Sequence, residues 1–184
     1  EFLADQLWPH HAYGKNAIYK AGHHSNAILS KYAFVQWENI NVSFMKSASR
    51  SLLHGVVNIP SIDLPLHIIC VHLGLFSFER KRQIHRLMER IHQHIPENEP
   101  LIIAGDFNDW STRVDGYFKD RLHVTEVFKQ QNGCHAKTFP AWYPIFSMDR
   151  IYVRGLELQT CEVLSGSSWT ALSDHLPLTA QFSI

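Results

Sequence analysis

The sequence predicts a layered α/β protein, a mixed and largely antiparallel pair of sheets with helices outside. Three observations carry that prediction. Leu66-His67-Ile68-Ile69-Cys70-Val71-His72-Leu73 and Leu101-Ile102-Ile103-Ala104 are short, mainly apolar runs, the mark of strands buried on both faces. One stretch after Ser77 repeats its apolar residues at helical spacing. Many further segments read as strands with few helices between them, so most neighbouring strands lack a crossover helix and pair antiparallel.

Taken in order, the chain opens on Glu1 rather than Met, inside an amphipathic helix that places Phe2, Leu3 and Leu7 on one face and ends before Pro9. A natural amino terminus seldom begins this way, so residues upstream of Glu1 are expected. Ala12 to Tyr19 and Asn26 to Ser30 read as strands, Phe34 to Phe44 as a longer extended stretch, and Arg50 to Ile59 as an apolar strand broken by Pro60. Ser77 is the expected N-cap of the strong helix, whose Ile84, Leu87, Met88 and Ile91 recur at spacings of three and four before Pro96. After the strand at 101–104, a short helix is expected at about Val124 to Gln130, with Asn132-Gly133 ending it. Met148 to Val153, Thr160 to Leu164 and the alternating Leu176 to Ile184 complete the strands.

The 184 residues fit one domain with a real core, and the 45% apolar fraction is that of an ordinary folded protein. Lysine plus arginine balance aspartate plus glutamate at 17 each. That balance argues against holding nucleic acid by bulk charge, although a local basic patch remains compatible with it. Cys70, Cys134 and Cys161 form no CxxC pair, which suggests reduced thiols and a cytoplasmic setting. No apolar run approaches the ~18 residues of a membrane span.

Candidate chemistry lies where polar groups abut buried strands. Asp106 and Asn108 follow the central apolar run directly, and strand-end loops are where α/β sheets build ligand sites. His72 ends the second buried run, Asp149 begins an apolar strand, Ser173-Asp174-His175 precedes the last strand, and Arg50 opens another. Each has a structural reading: an Asx turn at 106–108, a satisfied histidine at 72, a surface Asp149–Arg150 ion pair, a turn at 174. Their joint occurrence favours chemistry. His10-His11 and His23-His24 lack a nearby carboxylate and read as solvent-exposed loop residues or as the rim of a cleft. Trp110, Trp142, Tyr143 and Trp169 are either packing residues or groups that meet a base, a sugar or lipid.

Gly105-Asp106-Phe107-Asn108, Met148-Asp149-Arg150-Ile151 and Ser173-Asp174-His175, in that order, resemble the endonuclease/exonuclease/phosphatase superfamily. So do Val71-His72-Leu73-Gly74 with Arg80 and Gln83, Asn26-Ala27-Ile28-Leu29-Ser30, and Arg50-Ser51-Leu52-Leu53-His54. The resemblance implies a four-layered α/β sandwich of two mixed sheets, spanning 1–184 as one domain, and Mg²⁺-dependent phosphoester hydrolysis, with Mn²⁺ as the alternative ion. It implies that Asp106 activates the attacking water and Asn108 holds that water or a phosphoryl oxygen. Asp149 and His175 correspond to the family's carboxylate–histidine dyad, His72 to a second histidine at the phosphate, Asp174 to a metal ligand or its supporting partner, and Arg50 to a phosphate clamp.

The sequence also departs from the pattern. The family's early strand asparagine and metal-binding glutamate are absent, so two interior strands are expected to be missing and Mg²⁺ binding by this chain to be poor. Substrates left open are nucleic acid, disfavoured by the neutral charge, and nucleotides, inositol phosphates and phospholipid head groups. Stable membrane insertion is not expected. A non-catalytic phosphate- or protein-binding member of the same fold is the alternative, motivated by the missing glutamate.

Overall fold

The computed structural model describes residues 7–19, 22–44, 49–110 and 114–183, and the expected first helix lies almost wholly outside them. Its centre is a six-stranded sheet in the order β3-β4-β5-β6-β8-β7. These strands are β3 (Phe34–Asn41), β4 (Ser51–Val57), β5 (Leu66–His72), β6 (Leu101–Asp106), β7 (Thr125–Glu126) and β8 (Asp149–Arg154). Only β5 and β6 run parallel, and α1 (Ser77–His94) connects them. The mixed, mostly antiparallel character is as expected from the scarcity of crossover helices.

The two faces of this sheet are covered differently. On one face Ile69, Val71, Leu101, Ile103 and Tyr152 pack with Leu87 and Ile91 of α1 and with Phe118 and Leu122 of α2 (Val114–Leu122). Among the described residues the other face carries two hairpins. The hairpin of β1 (His10–Tyr19) and β2 (Gly22–Ser30) buries Ala12 and Ile28 against Leu53, with Ile68 and Cys70 alongside. The hairpin of β9 (Glu157–Val163) and β10 (Leu178–Ser183) packs Cys161, Leu178 and Phe182 with Ile102, Ile151 and Val153. Strand alternation explains the split, because odd and even residues of β6 and β8 enter different clusters.

Several expectations are corrected. The N-cap of α1 is Phe76, with extended backbone and no side-chain cap, and Ser77 is the first helical residue. This helix start is held instead by buried side chains: Gln83 Oε1 accepts from Gly74 N at 2.8 Å, and Arg80 donates to the Gly74 and Leu75 carbonyls. Helix α2 had no counterpart in the sequence reading, although Val114, Phe118 and Leu122 recur every four residues and are buried. Gly116 and two aspartates weaken its helical signal. The short helix is α3 (Val127–Asn132), closed as expected by Gly133 at φ 74°. It starts later than expected because Thr125 and Glu126 pair with β8 and Glu126 caps the helix, accepting from Lys129 N at 2.7 Å. A single turn, α4 (Ser167–Thr170), precedes β10.

At the start of β5 a buried polar chain crosses the core. Arg90 Nε donates to His54 Nδ1 at 3.2 Å, so His54 carries its proton on Nε2 and donates to His67 Nδ1 at 2.9 Å. His67 Nε2 then donates to Glu99 at 2.6 Å. Burial, with the neighbouring His67 and Arg90, lowers the His54 pKa to about 3 and keeps the ring neutral.

Candidate active site

The site is set by strand register. His72 of β5 is level with Asp106 of β6, and Asp106 is level with Asp149 of β8. At this end of the sheet three neighbouring strands therefore carry three titratable side chains in a row. Two backbone bonds extend the sheet through this row, Leu73 N to Asp106 O and Phe107 N to Met148 O, both 2.9 Å. Gly105 lies just before Asp106 at φ 138°, and a Cβ there would collide with the Val71 carbonyl. A glycine is required where these two strands meet so closely.

Asp106 turns back on its own loop. Asn108, in the left-handed region at φ 48°, donates its backbone N–H to Asp106 Oδ1 at 2.8 Å. Its amide nitrogen donates to Leu73 O at 2.9 Å and to Asp106 Oδ2 at 3.1 Å. The Asx turn is thus present, closed between Asp106 and Asn108. His72 Nε2 lies 3.6 Å from Asp106 Oδ2. Burial, then the facing charge of Asp149, pushes the Asp106 carboxyl up to about 6, against the pull of the Asn108 N–H, His175 and Arg50.

Asp149 is paired with His175 and not with its sequence neighbour. His175 Nδ1 donates to Asp149 Oδ2 at 2.6 Å, which leaves Nε2 for another partner. The hydrogen bond that Asp149 accepts raises the His175 pKa despite the ring's burial, and the charges of Asp149, Asp106 and Asp174 add to it. The ring packs beside Phe139, and the Asp174 carbonyl accepts from Ala141 N at 2.7 Å, tying the 139–146 loop to this corner. The Asp174 side chain is exposed. Arg50 is half-buried and donates through Nε to Leu73 O at 3.3 Å, the carbonyl that Asn108 also uses. The structure thus gathers all seven predicted residues at one end of the sheet.

The surface ion pair with Asp149, the structural reading of this stretch, is overturned by the position of Arg150. This arginine is fully buried (0% exposed) on the opposite face of β8 from Asp149, not part of a surface pair. Its guanidinium donates to the Asp109 carbonyl and to Tyr152 Oη, with the Asp109 and Asp115 carboxylates at 3.5 and 3.6 Å. His135 continues this cluster, 2.6 Å from Asp115 and 3.2 Å from Glu126. One cation therefore ties the residue after Asp149 to the loop after Asp106. The available signal was alternation, since Arg150 and Tyr152 share one face of an apolar strand. Trp110, Trp142 and Tyr143 are exposed and Trp169 is half-buried, so the first three are not core residues. His11 is exposed and His10 half-buried, both within β1.

Asp106, Asp149 and Asp174 all bear on the single imidazole of His175, an all-oxygen concentration of negative charge that suits a hard divalent cation. Among the described residues, no three histidine, cysteine or carboxylate side chains gather closely enough to hold a metal ion. Mg²⁺ commonly takes only one or two carboxylates and completes its shell with water, so these residues fit it as partial ligands.

A mixed, mostly antiparallel sheet with helices on one face and hairpins on the other is the deoxyribonuclease I-like α/β fold. The chain belongs to the Endonuclease/Exonuclease/phosphatase family, whose model matches residues 1–175. It is 39% identical over 184 residues to the uncharacterized protein YbhP of Escherichia coli (strain K12), covering all of this chain and 72% of that protein. In fold it is similar to the mannosyl-6-phosphatase of Bacteroides thetaiotaomicron, with a TM-score of 0.75, 17% identity and coverage of 100% of this chain and 80% of that one. It is likewise similar to D. rerio TDP2 complexed with a single-strand DNA product, with a TM-score of 0.78, 19% identity and coverage of 100% and 80%. At family level the chain is a phosphoester hydrolase.

Proposed function

We propose that residues 1–184 form one domain of a Mg²⁺-dependent enzyme that hydrolyses a phosphoester by attack of an activated water. The observation that supports this best is the row His72, Asp106, Asp149 across three adjacent strands, with His175 held 2.6 Å from Asp149. Asp106, with a pKa of about 6, is matched to taking a proton from water near neutral pH. Asn108 holds that carboxylate on two sides and positions the water or a phosphoryl oxygen. The water oxygen bonds to phosphorus as the bond from phosphorus to the leaving oxygen breaks, and the water proton passes to Asp106.

Asp149 fixes the His175 ring through Nδ1 and favours its charged form, so Nε2–H donates to the phosphoryl group or protonates the leaving oxygen. His72 contacts the phosphate beside Asp106, and Arg50 clamps another of its oxygens. Asp174, beside His175, would hold the Mg²⁺ (or Mn²⁺), which offsets charge on the phosphoryl oxygens. The three unpaired cysteines, Cys70, Cys134 and Cys161, support a cytoplasmic setting for this enzyme.

The test is hydrolysis of a bis-aryl phosphodiester and of DNA by the full-length protein with Mg²⁺. Asp106→Ala is expected to lose at least ~100-fold in kcat/KM, as removal of a general base should. Full activity in that variant would overturn the assignment of Asp106.

A further inference from the structure

Most of the large apolar side chains exposed among the described residues sit at the end of the sheet that carries the site. They form two groups, on either side of the row of site residues. The first follows β3 and β5. Phe78 stacks on Phe76 at 5.8 Å and meets Phe44 edge-on at 5.3 Å, with Leu75 beside them in sequence. Phe44, Leu75, Phe76 and Phe78 are each about half exposed or more, Phe76 being 56% exposed. The second group precedes β8 and His175. Trp142 is 80% and Leu172 77% exposed, and Trp142 stacks on Tyr143 at 6.0 Å, with Ile145 exposed on the same loop. That loop is tied to the site through Ala141 N and the Asp174 carbonyl.

The exposed charges that border the first group are cationic, and Asp174 is the exposed acid beside the second. Lys81, Arg82 and Arg86 lie on α1 just beyond Phe78, and Arg82 stacks its guanidinium over Phe44 at 5.4 Å. The acid of that first turn, Glu79, is buried. The second group has no charge at all from Phe139 to Met148. A single-stranded nucleic acid requires cations along its backbone as well as rings for its bases, and the second group supplies none. Leu75, Ile145 and Leu172 have no π-face for a base to stack on. Exposed aromatic and aliphatic side chains with a cationic margin are the composition that settles into the head-group layer of an anionic bilayer.

We infer that the site-bearing end of the molecule docks transiently on an anionic lipid surface and takes its phosphoester from a lipid head group there. The inference rests on the hydrolase reading for its chemistry, but the docking itself is independent of turnover. Phe76, Phe78, Trp142 and Leu172 enter the head-group layer, Lys81 and Arg82 meet its anionic groups, and the row from His72 to Asp149 faces the membrane between them. No helix is required to cross the bilayer, and none among the described residues is long and apolar enough to do so.

The experiment is co-sedimentation of the full-length protein with vesicles of phosphatidylcholine plus phosphatidylglycerol, and with vesicles of phosphatidylcholine alone. The expected result is sedimentation with the mixed vesicles, weaker with phosphatidylcholine alone, and weakened by high salt without being abolished. The paired variants Phe76→Ser/Phe78→Ser and Trp142→Ser/Leu172→Ser are each expected to cut the bound fraction by about tenfold while keeping the wild-type circular dichroism spectrum, in line with the loss of two interfacial apolar side chains. An Asp106→Asn protein, inert as a hydrolase, is expected to sediment like wild type. Failure of the wild type to sediment, or serine pairs that sediment unchanged, overturns the docking. So does binding of an oligothymidylate that depends on the same four residues. Intact sedimentation with no hydrolysis of any phosphoester would overturn the enzymatic reading and leave the docking standing.

Discussion

The two ends of the central sheet share the strands β4, β5 and β6, yet they hold their polar groups in opposite ways. At the start of β5 the chain Arg90, His54, His67, Glu99 is closed, each member hydrogen-bonded to the next. At the end of β5 the row is open. Asp106 faces Asp149 across β6 and β8, Asp106 titrates near 6, and His175 Nε2 is left for a further partner. A closed chain stabilises a fold, whereas groups of like charge held close together store unfavourable energy that a substrate or cation relieves. The open end is what one expects of a site that does chemistry, and it stands on a buried ionic cluster behind β8, centred on Arg150.

That contrast can be broken by substitution. The largest effect is expected from Arg150→Met, which leaves the Asp109 and Asp115 carboxylates without their buried cation. Denaturant unfolding should show a loss of about 3–5 kcal/mol, as for removing one partner of a buried ion pair. A loss near zero would mean that the open end does not depend on this cluster. Next comes His67→Phe, which strands the Glu99 carboxylate and the His54 N–H. It should cost about 1–3 kcal/mol of stability with kcat unchanged. A matching fall in kcat would show that the two ends communicate.

The smallest and most discriminating effect concerns pH. The folded pKa of His54 is about 3 against 6.5 for the free side chain, so the unfolded state binds more protons in that window and stability falls as pH drops from 6.5 towards 3. Asp106 has the opposite sign. Its folded pKa of about 6 exceeds the free value of 3.8, so its stabilising contribution is complete below 3.8 and is lost as pH rises through 6. Thermal melts at neutral pH should therefore give Asp106→Asn a slightly higher Tm than wild type, while His54→Leu should flatten the acid limb. An Asp106→Asn protein that melts lower than wild type would show that Asp106 is not under like-charge strain.

The row of site residues was legible because each abuts an apolar run: Gly105-Asp106 ends one, His72 ends another, and Asp149 begins a third. Position relative to a strand end is a local property, and periodicity reports it. What was not legible depends on what lies across the sheet. His54 and His67 each interrupt an apolar strand, but only the register of β4 with β5 and the approach of α1 turn two odd histidines into a chain. The same holds for Arg150, whose neighbour in sequence is Asp149 and whose partners come from Asp109 and from α2. Helix α2 itself was obscured by Gly116, whose missing Cβ has open space around it.

Gly105 has a consequence for anyone who would engineer this molecule. Replacing glycine by alanine is a standard way to stiffen a chain, because it removes freedom from the unfolded state. At Gly116 the added methyl meets nothing, but at Gly105 it is driven into the carbonyl of Val71, one residue before His72. Strand β6 would have to move away from β5 at the point where Asp106 and His72 are level. A stabilising library that treats its glycines alike would thus trade away the alignment of the site at one position while gaining rigidity at the other.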